Sequence, residues 1–135
     1  MKELTIQAIK GNLERVLTFV DEYLESLDCP MKTQMQLDVA VEELFINIAS
    51  YAYAPGTGPV TVQLEAEQEP LSVTITFIDH GVPYDPLTKA DPDVTLSAEE
   101  RQIGGLGIYI VKKSMDAISY VYRDGQNVLC IRKNL

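Results

Sequence analysis

The chain of 135 residues is poor in positive charge, with 11 lysines and arginines against 20 aspartates and glutamates and a formal net charge of −9. A nucleic-acid backbone or an anionic membrane surface attracts clustered basic side chains, so this balance argues against both kinds of partner. A polyanionic small ligand is still allowed, because a metal ion and local dipoles can offset the negative field.

Features of several other protein classes are missing as well. Cys29 and Cys130 stand without the CxxC or histidine spacing of a metal site, and the chain has one histidine and no tryptophan. No uncharged apolar stretch reaches the ~18 residues of a membrane span, and Met1-Lys2-Glu3 does not begin a secretory signal. We therefore expect a cytoplasmic protein with two reduced thiols.

What is present is the composition of a globular domain, with 46% hydrophobic and 23% charged residues, and we expect residues 1–135 to form one domain. The hydrophobic periodicity predicts an α+β fold: about five strands in a mixed or antiparallel sheet, with three helices on one face. The predicted elements are a strand at 4–9, a helix capped by Asn12, a helix at 32–53, hairpin strands at 60–66 and 71–78, a helix at 106–115 and a hairpin turned at Asp124-Gly125. Between the first hairpin and the third helix lies a loop of about 20 residues, a length typical of a functional lid.

The segment "IGGLGIYIV", residues 103–111, places Gly104, Gly105 and Gly107 directly before an apolar run. Each glycine weakens a helix by roughly 1 kcal/mol relative to alanine, so the cluster needs a reason. One reason is a plain tight turn, and another is close approach of backbone N–H groups to a phosphate at a helix N-terminus. The spacing fits neither the Rossmann GxGxxG nor the Walker motif.

Two further segments carry oxygen groups. In the second predicted helix, Glu43 and Asn47 lie four residues apart, on a stripe about 100° from the apolar one. This pair is either a solvated polar edge or a group that holds Mg²⁺ or activates a hydroxyl. Asp79 ends an apolar strand and Gly81 follows it, as in an ordinary turn or in a pocket whose carboxylate accepts a hydrogen bond from an exocyclic amine.

Taken together, in this order and spacing, the three segments resemble the GHKL superfamily of ATPases. Within it, the chain is similar to the small bacterial anti-sigma factor serine kinases of partner-switching systems. The resemblance covers essentially all 135 residues. It matches Glu43 and Asn47 to the N-box, Asp79 and Gly81 to the first glycine box, and the segment from Gly105 to Gly107 to the second.

The resemblance implies a two-layer α/β sandwich of the Bergerat type that binds ATP between sheet and helices. Asn47 would ligate Mg²⁺, and Asp79, with Gly81 beside it, would receive the adenine amine. Gly105 and Gly107 would bring backbone amides to the phosphates, under a lid at about 85–103. Glu43 would be the general base that takes the proton from a partner's serine.

Three positions depart from the family pattern. Pro83 replaces a second glycine of the first glycine box, and Tyr51 stands where many members carry histidine. Cys130 stands on the last strand, where a threonine or serine often lies near the adenine, and would remove a hydroxyl partner.

Two functions stay open on these residues. One is an ATP-dependent serine kinase that phosphorylates an antagonist protein. The other is a nucleotide-gated module that sequesters a regulator without catalysis. The expected partner is an antagonist protein, and a sigma factor and a second copy of the chain are further candidates.

Overall fold

The computed structural model of the chain describes residues 1–88 and 105–135. Within these residues, five strands form one sheet and three α-helices pack against it. The elements are β1 (Lys2–Gln7), α1 (Leu13–Ser26), α2 (Met31–Tyr51), β2 (Pro59–Glu67), β3 (Ser72–Asp79), α3 (Gly105–Ser114), β4 (Ala117–Arg123) and β5 (Gln126–Asn134), with 3₁₀ turns at Lys10–Asn12 and Pro86–Thr88.

The sheet has the strand order β1-β2-β3-β5-β4, and each neighbouring pair is antiparallel. Alternate residues of each central strand are buried, as expected for a sheet with one face on the core. The register places Phe77 opposite Val62 on one side and Leu129 on the other, and all three belong to one core cluster shared with the helices. The opposite sheet face carries half-buried polar residues such as Thr61 and Thr76.

Helix α2 is fixed in its rotation by the apolar stripe that the sequence predicts. Leu37, Val41 and Leu44 are fully buried and Ile48 is 9% exposed. Burial of such a side chain contributes roughly 1.5–3 kcal/mol, so the stripe holds one face of α2 on the core. The neighbouring stripe, which carries Glu43, is thereby held at the edge of the core.

The element boundaries differ from the predicted ones by a few residues. The first strand ends at Gln7 instead of residue 9, and α2 ends at Tyr51 instead of residue 53. The last hairpin turns where expected, with left-handed φ angles of 55° at Asp124 and 77° at Gly125. In residues 1–88 and 105–135, no helix is long and apolar enough to cross a membrane.

Candidate functional site

A cleft opens between the C-terminal half of α2 and the adjoining ends of β3 and β5. It holds about 390 Å³ of space free of protein atoms, part of it open to solvent. Its walls are mainly apolar, with a few polar groups that converge on the same space, which is the composition of a small-molecule site. The lining residues are Leu44, Asn47, Ile48, Ala52, Asp79, Val82, Tyr84, Pro86, Tyr120, Asn127 and Leu129.

Asp79 lies at the floor of this cleft and is 4% exposed. Its Oδ1 atom accepts two hydrogen bonds of 2.9 Å, from the backbone N–H of Gly81 and from Nδ2 of Asn127. Among the described residues Oδ2 accepts none. A buried carboxylate held on one oxygen presents the other one as an acceptor for a ligand N–H.

Asn127 holds this end of the cleft together. It stands opposite Asp79 in the pairing of β3 with β5 and is 5% exposed. Its Nδ2 donates to Asp79 and, at 2.9 Å, to the carbonyl of Val82. Its Oδ1 accepts from the hydroxyl of Tyr120 and, at 3.3 Å, from the backbone N–H of Tyr84. Each hydrogen-bonding group of the buried amide is thus used, which fixes its orientation.

Asn127 could not be identified from the sequence, because two residues after Asp124-Gly125 it is indistinguishable from an ordinary turn residue. Only the cross-strand register brings it to Asp79. The expectation that Cys130 takes the position on β5 that lies near the adenine is wrong. Cys130 faces away from the core, since Leu129 and Ile131 on either side are buried. Its Sγ lies 3.2 Å from Oγ1 of Thr76 on the outer face of the sheet.

Two tyrosines order the chain that leaves β3. The hydroxyl of Tyr120 accepts a hydrogen bond of 3.1 Å from the backbone N–H of Tyr84. Burial raises the pKa of Tyr120, the hydrogen bond from Tyr84 offsets part of this increase, and the carboxylates of Asp85 and Asp79 raise it further. The hydroxyl is therefore kept protonated and remains a donor to Asn127.

Pro83 and Tyr51, which depart from the family pattern, both lie beside this hydrogen-bond network. Pro83 is exposed, but the carbonyl before it and the N–H after it both bind Asn127. Tyr51 is 51% exposed, and its ring lies against that of Tyr84 with centroids 5.6 Å apart. His80 is exposed, as expected of a turn residue.

Gly81 has a packing reason to be glycine. A Cβ atom at this position would collide with the backbone carbonyl of Ala52, which also accepts a hydrogen bond of 2.9 Å from the N–H of Val82. The absence of a side chain at Gly81 therefore allows the end of β3 to pack closely against the end of α2. Gly81 is near Asp79, as predicted, but its Cα faces α2.

At the other end of the cleft, α2 carries Glu43 and Asn47 side by side. Nδ2 of Asn47 donates to Oε1 of Glu43 at 3.3 Å. Asn47 lines the cleft, and its amide nitrogen is engaged, so Oδ1 is the atom it offers to a ligand. Both side chains are half-buried, with Asn47 in the wall of the cleft and Glu43 hydrogen-bonded to it, so the pair is not a fully solvated helix edge.

Helix α3 brings its first turn against this pair. Gly105 is the first residue of α3 and Gly107 the third. A Cβ atom at Gly107 would overlap the carboxyl group of Glu43, so the two residues are in direct contact. The first N–H groups of a helix have no intrahelical acceptor, which makes this turn suitable for an anion. Most of the predicted lid, from residue 89 onward, lies outside the described residues.

A divalent ion would have few protein ligands here. No group of three or more histidine, cysteine or acidic side chains in residues 1–88 and 105–135 could hold a metal. The amide oxygen of Asn47 is a hard ligand in the cleft, and it fits an Mg²⁺ ion that takes its other ligands from nucleotide phosphates and water. The residues present therefore fit Mg²⁺-nucleotide, and they do not form a cage for a free ion.

Comparison with known proteins settles the family. The family model of the histidine kinase-like ATPase domain matches residues 6–133. The chain belongs to this family. The resemblance to GHKL ATPases and to their anti-sigma serine kinase branch is thereby confirmed, and so is the α+β fold, with a fully antiparallel sheet.

Among curated relatives, serine/threonine-protein kinase BtrW of Bordetella bronchiseptica is 32% identical over 100 residues, which cover 74% of this chain and 70% of BtrW. Serine-protein kinase RsbW of Listeria monocytogenes is 30% identical over 98 residues, covering 69% of this chain and 61% of RsbW. The matched part thus spans about three fifths of RsbW.

A solved structure of the SiaB-SiaC complex from Pseudomonas aeruginosa contains a chain of the same fold. It aligns with a TM-score of 0.60 at 17% identity, over 98% of this chain and 89% of the other. At this identity the likeness concerns the fold alone.

Proposed function

We propose that this histidine kinase-like ATPase domain is an ATP-dependent protein serine kinase that phosphorylates an antagonist protein in a partner-switching system. The proposal is supported by the presence of two different sets of polar side chains along one cleft. A buried carboxylate, Asp79, lies at one end, and Asn47 lines the cleft on α2 with Glu43 hydrogen-bonded beside it. These are the groups needed to recognise a base and to transfer a phosphoryl group.

At the first end, the free Oδ2 of Asp79 would accept the exocyclic amine of adenine. The apolar wall of Ile48, Val82 and Leu129 offers the purine ring a dry surface. Asn127 keeps the carboxylate in one orientation, so little conformational freedom is lost when the base binds.

At the second end, Asn47 Oδ1 would ligate Mg²⁺, and the first turn of α3, with Gly105 and Gly107, would face the phosphates. Bound Mg²⁺ neutralises phosphate charge, which matters in a chain with a net charge of −9. A helix N-terminus adds a favourable contact of about 0.3–1 kcal/mol with an anion.

Glu43 would act as the general base. As the serine hydroxyl oxygen attacks the γ-phosphorus, its proton passes to the Glu43 carboxylate and ADP leaves. The hydrogen bond that Asn47 donates to Oε1 of Glu43 would help to orient the carboxylate towards the substrate hydroxyl. General-base catalysis contributes about 10²–10⁴-fold, and positioning of the reactants contributes the remainder.

The names of the relatives support the choice of substrate. BtrW and RsbW are named as protein kinases that act on serine or threonine, and SiaB was solved in complex with SiaC. An antagonist protein is accordingly the proposed phosphate acceptor. Capture of a sigma factor, hence regulation of transcription, belongs to the same proposal, as do homodimer formation and a cytoplasmic location, where ATP is available. The span 1–135 would act as one ATPase domain, with its lid at about 85–103.

The second candidate is a nucleotide-gated binding module without kinase activity. It requires the same cleft, and the departure at Pro83 leaves it intact, since both neighbours of Pro83 are held by Asn127. The two functions differ only in whether Glu43 takes a proton.

The deciding experiment is incubation of the protein with Mg-ATP and small candidate antagonist proteins from the same genome, followed by mass spectrometry of their serines. The proposal expects one serine of one candidate to gain a phosphate, and Glu43→Gln to abolish the gain. ATP-dependent capture of a partner with no phosphorylation would instead establish the binding module.

A further inference from the structure

Gly107 is a glycine inside a helix, and its backbone does not explain why. Its φ angle is not in the left-handed region, in contrast to Gly125 in the last hairpin, whose φ is 77°. A helical glycine lowers stability relative to alanine, so the missing side chain must serve another purpose. The space that a Cβ atom would fill at Gly107 is occupied by the carboxyl group of Glu43.

The two helices that make this contact cannot easily move apart. In α3, Ile108 and Val111 are buried, and in α2 the residue next to Glu43, Leu44, is fully buried as well. A side chain added at Gly107 would therefore displace the flexible end of Glu43, while both helices stay on the core.

We propose that Gly107 is a positioning residue for Glu43. The space left by its missing side chain is the seat of Glu43, that is, the position in which the Glu43 carboxylate is held. This inference rests on the proposed kinase function, because a seat for the base matters to the rate of transfer. It gives Gly107 a role that differs from presenting a backbone amide to a phosphate.

The two roles of Gly107 make different predictions for Gly107→Ala. If the glycine seats Glu43, the substitution lowers the rate of phosphoryl transfer at saturating Mg-ATP by about 10²-fold, as expected for a base misplaced by about 1 Å. Its affinity for Mg-ADP then stays within about threefold of wild type. If the glycine serves the phosphates, the affinity for Mg-ADP falls and the saturated rate is preserved.

A size-compensating variant tests the contact itself. Glu43→Asp shortens the side chain and withdraws the carboxylate from Gly107. In the Glu43→Asp background, Gly107→Ala should change the transfer rate by no more than about threefold, because the collision is gone. If Gly107→Ala lowers the transfer rate in the Glu43→Asp background as much as it does in wild type, the proposal is overturned. Gly11→Ala is the matched control, since a Cβ atom at Gly11 meets no atom within 4 Å.

A readout without turnover separates this inference from the kinase proposal. The carboxyl ¹³C resonance of Glu43, identified by its loss in Glu43→Gln, should shift in Gly107→Ala and stay unchanged in Gly11→Ala. If the wild type proves to have no kinase activity, this shift still shows that Gly107 seats Glu43. An unchanged Glu43 resonance in Gly107→Ala would refute the seat, whatever the activity.

Discussion

The two ends of the cleft hold their key carboxylates in different ways. Asp79 is fixed by hydrogen bonds, two of them to one oxygen, within a network that extends through Asn127 to Tyr120. Glu43 accepts a hydrogen bond of 3.3 Å from Asn47, and its carboxyl group also lies against the bare Cα of Gly107. A buried hydrogen-bond network therefore fixes the carboxylate of Asp79, whereas the carboxylate of Glu43 occupies the space that a side chain at Gly107 would fill.

This difference separates recognition from chemistry. A carboxylate locked by a complete network suits a binding group that must present one oxygen in one place. A carboxylate at the end of a flexible side chain, resting on a helix that begins with glycines, suits a group that takes up and releases a proton. Substitutions of the two carboxylates should accordingly affect different measured quantities: nucleotide affinity for Asp79 and transfer rate for Glu43.

The largest effect is expected from Glu43→Gln, which keeps the size of the side chain and removes the proton acceptor. Phosphorylation of the partner should fall by about 10²–10⁴-fold, while Mg-ADP affinity is retained. The rate is measured by quench-flow with labelled ATP. Glu42→Gln is the matched control, since Glu42 is the exposed neighbour on the same helix. Equal losses in the two variants would contradict the assignment of the base.

Asn47→Ala should have the next largest effect, because Asn47 supplies the amide oxygen for the metal. We expect the Mg²⁺-dependent part of ADP binding to disappear, a loss of about 10–100-fold in affinity. Calorimetric titrations with and without Mg²⁺ measure this part directly. The affinity in the absence of Mg²⁺ should match that of wild type, and retained Mg²⁺ dependence would exclude Asn47 as the ligand.

Asp79→Asn sharpens the comparison at the other end. Since two donors bind Oδ1, the amide oxygen of the new side chain should take that position and leave its NH₂ group facing the cleft. This group repels the adenine amine and can donate to the carbonyl of guanine. The ratio of ADP to GDP affinity should fall by about tenfold or more. An unchanged ratio would mean that Asp79 does not contact the base.

The smallest effect concerns a carboxyl pair outside the cleft, between α1 and α2. The pKa of Asp38 is raised to about 7, first by burial and then by a hydrogen bond with Asp21 and by the charges of Asp21 and Glu25. One buried oxygen of each aspartate accepts no hydrogen bond within the described residues, and a shared proton would bridge them.

The native state therefore holds this proton more tightly than the unfolded chain, whose Asp38 has the ordinary pKa of 3.8. The stabilisation is present below about pH 4 and is lost as the pH rises towards about 7. The melting temperature of Asp38→Asn minus that of wild type should therefore increase by about 2–5 °C as the pH is raised from about 5 to about 8. Glu22→Gln, on the exposed face of α1, controls for the loss of one charge. A constant difference across this range would argue against the shared proton.

Much of the fold could be predicted because local chemistry determines it. The apolar stripe of α2 is confirmed by the burial of Leu37, Val41, Leu44 and Ile48, and the Asp124-Gly125 turn by its positive φ angles. The adjacency of Glu43 and Asn47 followed from helical spacing and is confirmed by their hydrogen bond. Their roles, and those of Asp79, Gly81, Gly105 and Gly107, stay predictions.

What could not be predicted depends on contacts between distant segments. Asn127 meets Asp79 only through the register of β5 on β3, and the same register turns Cys130 to the opposite face, three residues away. The collision between a side chain at Gly107 and Glu43 requires the packing of α3 on α2. Sequence spacing gives no measure of these distances, because each joins elements separated by a long stretch of chain.

The most direct test of the central claim, that this cleft binds an adenine nucleotide, is calorimetry of the wild-type protein with Mg-ADP and Mg-GDP. The account predicts micromolar to millimolar binding of ADP and at least about tenfold weaker binding of GDP. It also predicts that removal of Mg²⁺ weakens the binding of ADP, since the chain carries a net charge of −9. Absence of heat with ADP at millimolar concentration, or equal affinity for ADP and GDP, would contradict it.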